Sequence, residues 1–345
     1  MSSLGGVTAK LAILAAVLAA ATVAATLDSA SSPRAPARVS ARFFSASGVW
    51  NEPPAAGAAL DPSSHALVGA LDAEVADERA AGRGPWINTS SYSVPIYTVP
   101  ATQPTVAVSL DHAPEPPLSA AWSAVPLPLD ARPASGTDGD LVVWQPSTDR
   151  MWEFWRLVND GAHWSATWGG AMQHVSANPG VYGTEAWPGA EPWWGVSASS
   201  LAIAGGLITF EDLRRGRIDH ALVISVPNVR AGVFAAPARR TDGTSTSPLS
   251  LPEGAHLRLD PRLNLHALHL PHMTLMLAEA AQRYGIFVGD FSPNVAFYAQ
   301  DPTPTGADPY AGPHGYFAGL NPSQLLAAFP WAHLQLLRMA LHVAP

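Results

Sequence analysis

Along the chain apolar positions recur with two periods, and the period of two prevails. The helical period appears in "DPSSHALVGALDAEVADERAAGRG", where Leu67, Leu71 and Val75 fall on one face. Asp61 or Ser63 is placed to cap its start and Gly82 lies past its end, which predicts one amphipathic helix. From Trp86 to Leu129 the runs "SVPIYTV" and "PTVAVSL" are strand-like, but their prolines suit edge strands or irregular crossings. The region 138–235 is the clearest sheet territory: "LVVWQ", "RMWEFWRLV", "HWSATWGGAM" and "IDHALVISV" are separated by short turn signals, which predicts antiparallel pairing. Between the last two, Thr209, Asp212 and Gly216 in "LITFEDLRRGRI" read as a short capped helix. A further helix is predicted between Pro271 and Gly285, followed by strands "IFVGD" and "VAFYAQD". The final "PSQLLAAFPWAHLQLLRMALH" reads as mostly helical with a break at Pro330.

Short strands, frequent turns and few helices predict a mainly β chain, an antiparallel β-sandwich of jelly-roll or concanavalin-like shape with a few peripheral helices. The expected organisation is a signal peptide at 1–25, a flexible linker at 26–47 and a single sandwich domain at 48–345. Within that domain, 48–135 is an N-terminal wrapping segment and 320–345 a C-terminal helical segment. The signal is read from Lys10, the apolar run that begins at Leu11 and the small residues near Ala25. It predicts a secreted, extracellular protein with no stable membrane insertion after cleavage. The alternative is an uncleaved anchor, because the apolar run approaches the length that spans a bilayer.

Composition narrows the chemistry. A net charge of -8 without any cluster of Lys or Arg argues against a nucleic-acid partner. Cys is absent, so stability must come from packing rather than disulfides. There is no G-x-S-x-G elbow, no G-x-G-x-x-G and no P-loop. No cofactor is expected. His266, His269 and His272 are spaced three apart around a proline, which does not build a regular ligand face, so no metal is assigned.

The candidate chemistry lies in "STDRMWEFWRLVNDGAHWSATWGG". If Asp160-Gly161 forms a two-residue turn, Trp155 faces Ala166 and Glu153 faces Trp168. If "PSTD" (146–149) is a four-residue loop, Val142 faces Glu153 and Asp140 faces Trp155. One face then collects Asp140, Trp144, Glu153, Trp155, Trp164 and Trp168. Two acids at this separation among indole rings suit glycoside hydrolysis, since indoles pack on sugar faces and a dry setting raises a carboxyl pKa. Glu153 is therefore either a working acid with Asp140 as partner or a buried acceptor for an indole N–H. His220 falls on an apolar strand face, as a core histidine or a group that orients a carboxylate. Asp290 ends the strand "IFVGD", at a sheet mouth or a turn. Trp193 and Trp194 in "WPGAEPWWG" read as a loop that caps a groove or plugs the sandwich.

The segments "LVVWQPSTDRMWEFWRL", "GGLITFEDLRRGRIDHALVISVP" and "AQRYGIFVGD" resemble a family of secreted actinobacterial proteins over roughly residues 48–335. The resemblance implies a sandwich-like fold of glycoside-hydrolase or lectin type, with Glu153, His220 and Asp290 on its recurrent strands, and carries no activity with it. The expected function is a secreted glycoside hydrolase acting on a polysaccharide or cell-wall glycan. Alternatives are a noncatalytic, lectin-like polysaccharide-binding protein and a polysaccharide lyase.

Overall fold

The computed structural model describes residues 43–112 and 114–344. The expected signal at 1–25, and the expected linker as far as residue 42, lie outside the described residues. Residues 43–47 are not linker but packed chain: Phe44 is buried and Phe43 meets Trp144 edge-on at 5.6 Å. In chain order the first elements are α1 (Ser64–Ala80), β1 (Trp86–Asn88), β2 (Ile96–Thr98), β3 (Val108–Leu110) and α2 (Pro116–Ala121). The central hairpins supply β4 (Leu141–Gln145), β5 (Arg150–Trp155), β6 (Val158–Asn159), β7 (Trp164–Ala166) and β8 (Trp168–Gln173). Then come α3 (Phe210–Arg215), β9 (Leu222–Val226), β10 (Val233–Ala235), β11 (His256–Leu259), α4 (His272–Arg283), β12 (Ile286–Phe291) and β13 (Ala296–Tyr298). The last are α5 (Pro322–Ala327), β14 (Leu334–Leu336) and β15 (Leu341–Val343).

With 20% helix and 25% strand the fold is sheet-rich with few helices, divided among several sheets and not closed into a barrel. A six-stranded sheet runs β1-β13-β9-β12-β11-β14, a four-stranded sheet β2-β4-β5-β8, and smaller sheets join β3-β7-β6 and β10-β15. Pairing is mixed rather than purely antiparallel: β1 with β13, β9 with β12, β2 with β4 and β3 with β7 are parallel. The reason is burial on both faces. Every residue of β4 and β9 is buried, and strands covered on both sides read as continuous apolar runs, the usual setting of parallel neighbours.

Alternation in β9 divides the core. Leu222, Ile224 and Val226 join a cluster with Leu67, Leu71 and Val75 of α1 and Met276 and Leu277 of α4. Val223, with Phe287 of β12, joins the other cluster, made largely by β4, β5 and β8. The six-stranded sheet therefore carries helices on one face and shares its other core with the four-stranded sheet. In α3, Thr209 and Asp212 form the expected capping box, and Gly216 ends the helix at φ +66°. The C-terminal segment departs from the expected helix. After Pro330, Leu334 and Leu336 are buried on either side of Gln335, a period of two, and β14 pairs antiparallel with β11. Among the described residues no helix is long and apolar enough to cross a membrane.

Candidate functional site

The β4–β5 register is the expected one, with Val142 opposite Glu153 and Gln145 opposite Arg150. The second hairpin is two residues longer in its loop. Asp160 Oδ1 accepts from the backbone N–H of Ala162 at 2.8 Å and of His163 at 2.7 Å, so the side chain closes a four-residue turn. Asn159 consequently pairs with Trp164, Trp155 with Trp168, and Glu153 with Gly170. A slip of two leaves every side chain on its original face.

Glu153 is fully buried and fully engaged. Tyr182 Oη donates to its Oε2 at 2.7 Å, and the backbone N–H groups of Ile203 and Ala204 donate to Oε2 and Oε1 at 3.3 and 3.1 Å. Glycines make this possible: a Cβ at Gly170 would lie 2.5 Å from the Tyr182 ring, and one at Gly195 would lie 2.8 Å from its other edge. Burial pushes the Glu153 carboxyl above its ordinary value, opposed by those three hydrogen bonds. Burial, and then the adjacent Glu153, push the Tyr182 hydroxyl well above its own, so it remains a donor. Glu153 is thus a structural acceptor, and the expectation that it works in an open cleft is corrected by the ring and loop that seal it.

The cleft itself lies next door. It holds about 420 Å³ and is lined by Asp138, Asp140, Trp155, Trp168, Arg240, Asp242, Asp290 and Tyr298, among others. Ile203, which donates to Glu153, is also in its wall, so Glu153 sits directly beneath the lining. Trp155 and Trp168 are cross-strand partners, both half-buried. Arg156 lies 4.4 Å from the centroid of Trp155, and His112 meets Trp168 edge-on at 6.0 Å. Backbone bonds from Arg156 N to Asp138 O (2.6 Å) and Leu157 N to Gly139 O (3.1 Å) extend the β4–β5 ladder and set Asp140 beside Trp155. Asp140 is buried, its Oδ1 has no hydrogen-bond partner, and burial followed by the charge of Asp138 raises it well above the usual carboxylate range.

Asp290 reaches the cleft through a β-bulge. Val288 pairs with Ile224, yet Asp290 pairs with Ser225, so Gly289 is the extra residue. Without it Asp290 would share the helix-covered face of Val288; with it Asp290 turns to the opposite face. Its Oδ2 accepts from Ala198 N at 3.0 Å and its Oδ1 from Phe291 N at 2.8 Å. Burial pushes Asp290 up to about 7. Glu253 arrives from the segment whose Gly254 N–H donates to Val288 O at 2.8 Å. It is fully buried and pushed up to about 9 by burial, with Asp290 and Asp242 adding to the rise. Arg240 uses Nε on Ser200 Oγ and Nη2 on the carbonyls of Gly195 and Ser197, clamping the loop that presents Ala198 to Asp290.

The other expected site residues lie elsewhere. His220 is buried, with Nδ1 2.8 Å from Ala221 O and Nε2 3.1 Å from Asp212 Oδ2. Both partners accept, so the ring ties α3 to the start of β9, away from the cleft. Trp144, Trp164 and Trp194 are core residues, and exposed Trp193 is not in the cleft lining. His266, His269 and His272 are exposed and do not converge; the metal-ligating side chains that do converge among the described residues are Asp242, Glu253 and Asp290. Sequence reasoning missed Tyr182, Asp242 and Glu253. The signal for Tyr182 was Gly169-Gly170 inside a strand, which marks close approach of another group; that for Glu253 was a single acid amid the apolar run "LSLPEGAHL".

No family model, no curated protein and no solved structure matches this chain.

Proposed function

We propose that the chain is an exported carbohydrate-active protein, a glycoside hydrolase whose cleft is the one floored by Trp155 and Trp168. The four-stranded and six-stranded sheets, which share one apolar core, would be the two layers of a sandwich. The observation that carries the reading is the sharing of one open cleft by a cross-strand tryptophan pair and a buried carboxyl, Asp140, whose Oδ1 has no partner. Indole faces hold a sugar ring by its apolar C–H surface while the polar wall takes its hydroxyls. Asp140, kept protonated by burial and by Asp138, is the proton donor to the glycosidic oxygen. Half-buried Asp138 is the second carboxylate, the base or nucleophile.

The noncatalytic reading, a polysaccharide-binding protein, is favoured by the removal of Glu153 from the cleft, which leaves the aromatic floor intact without its best-placed acid. A lyase acting on polyuronates is disfavoured by the surplus of acids in the cleft, which repels a polyanion. The test is a panel of neutral glycans with reducing-end detection, run with the wild type and Asp140→Asn. Hydrolysis lost with binding kept supports the enzyme; binding with no turnover in either supports the binder; no binding to any glycan defeats both.

A further inference from the structure

We infer that Asp242, Glu253 and Asp290 form a binding site for one hard divalent cation, calcium, in the wall of the cleft. One carboxylate oxygen from each lies within 4.8 Å of the others. Oxygens that share a calcium ion stand at most about 4.6–5.2 Å apart, twice a Ca–O bond, so a triangle of this size is within the span of one ion. Opposite ligands of magnesium stand only about 4.0–4.2 Å apart. The donor set is all carboxylate, with no imidazole or thiolate, which selects hard cations over zinc or copper.

Clustered acids alone would not carry this. The independent observation is Glu253: it is 0% exposed, and neither of its oxygens makes a well-formed hydrogen bond. A buried carboxylate so placed is costly: the Thr241 hydroxyl beside it relieves only part of that cost, and the nearest acids, Asp290 and Asp242, add to it. Arg240, the cation that lines this cleft, spends Nε and Nη2 on Ser200, Gly195 and Ser197, and no ion pair joins it to Glu253 among the described residues. Asp290 is held by N–H groups from Ala198 and Phe291, one to each oxygen, which orients the carboxylate and leaves a lone pair on each for an ion. Asp242 is exposed at the open side, where water completes a sphere of six to eight oxygens.

The site joins two acids of the loop between β10 and β11 to one on β12, a meeting that no local sequence pattern encodes. Gly254, at φ +80°, lets the chain pass against Ala235, whose carbonyl a Cβ there would meet at 1.7 Å. The bulge at Gly289 turns Asp290 to the same place. Three protein oxygens fall short of the six to eight that calcium takes, so an ion there would have positions left for water or for sugar hydroxyls. That last role rests on the glycan reading, whereas the ion site does not.

The experiment is calorimetric titration of the chelator-treated full chain with CaCl₂ alone, alongside thermal melts with and without the metal. One calcium per chain is expected, with a Kd on the order of 10⁻⁴ to 10⁻³ M for a partly hydrated site, and a rise in Tm of roughly 2–5 °C at saturation. Asp242→Asn, at an exposed position where folding is not at stake, is expected to weaken binding at least about tenfold, and Glu253→Gln to abolish it. No calcium heat and no Tm change, or affinity unchanged in Asp242→Asn, would overturn the inference, and tighter binding of MgCl₂ than of CaCl₂ would overturn the choice of ion. Glycan binding is measured separately with and without calcium: calcium uptake with no glycan bound sinks the carbohydrate reading and leaves the ion site standing.

Discussion

Tyr182 donates its hydroxyl to Glu153 at 2.7 Å inside the protein, and that bond decides what Glu153 is for. A carboxylate that is shut off from solvent and receives one phenol and two backbone N–H groups has no oxygen to offer a substrate. It joins β5 to the loops bearing Tyr182 and Ile203, and it is the polar rivet under an otherwise apolar floor.

Replacing Glu153 therefore acts on stability. Glu153→Ala orphans three buried donors and is expected to cost roughly 3–5 kcal/mol. Glu153→Gln keeps one acceptor but turns an amide N–H₂ toward donors, at about 1–3 kcal/mol. Urea melts give both numbers, and activity per folded molecule should match the wild type.

The glycines around Tyr182 are equally specific. Gly170→Ala sets a methyl 2.5–2.7 Å from the ring and hydroxyl of Tyr182. The strain is expected to cost about 1–3 kcal/mol or more, since overpacking forces side chains off their rotamers. A loss of stability no greater than that of Gly57→Ala, whose Cβ meets nothing within 4 Å, would contradict the packing described for Tyr182.

Trp155 and Trp168 are predicted to separate binding from folding. Each alanine replacement should weaken glycan affinity about tenfold or more, roughly 1–2 kcal/mol per ring, by titration against the best ligand of the panel. Trp164→Ala, a core residue outside the cleft lining, should instead destabilise the fold with affinity unchanged in the folded fraction.

Glu78 gives a pH test remote from the cleft. It accepts Val295 N at 2.7 Å on Oε1, and burial, opposed by that bond, pushes it from 4.5 up to about 7. Because the folded value is raised, the native chain holds a proton that the unfolded chain has lost between those limits. The stability linked to this group is therefore complete below about 4.5 and is lost as pH rises through about 7. Glu78→Gln removes that loss: its Tm should exceed the wild type's by roughly 2–5 °C near about pH 8 and show no advantage near about pH 4.

Much of this was legible in the residues, for identifiable reasons. Period-two alternation and turn chemistry placed β4, β5 and β8, and because a two-residue slip preserves faces, Asp140, Trp155 and Trp168 were grouped correctly despite the wrong turn at Asp160. Asp290 was read as emerging at a strand end, but the bulge that aims it depends on pairing with β9, which no local pattern encodes. Tyr182, Asp242 and Glu253 come from loops whose positions are set by long-range packing. The parallel pairs had a signal that strand counting overlooked: "ALVISV", broken only by Ser225, and "IFVG" are near-continuous apolar runs, the mark of strands covered on both faces. The C-terminal strands were hidden because Leu and Ala favour helices until Pro330 and the buried edge of β11 override them.

The most direct measurement is a comparison of Asp140→Asn with Glu153→Gln on the glycan that the wild type cleaves best, each scaled to its folded fraction. The account predicts a fall in kcat of at least about a hundredfold for Asp140→Asn with affinity retained, and near-wild-type kcat for Glu153→Gln. Full turnover in Asp140→Asn, together with lost turnover in a well-folded Glu153→Gln, would contradict it.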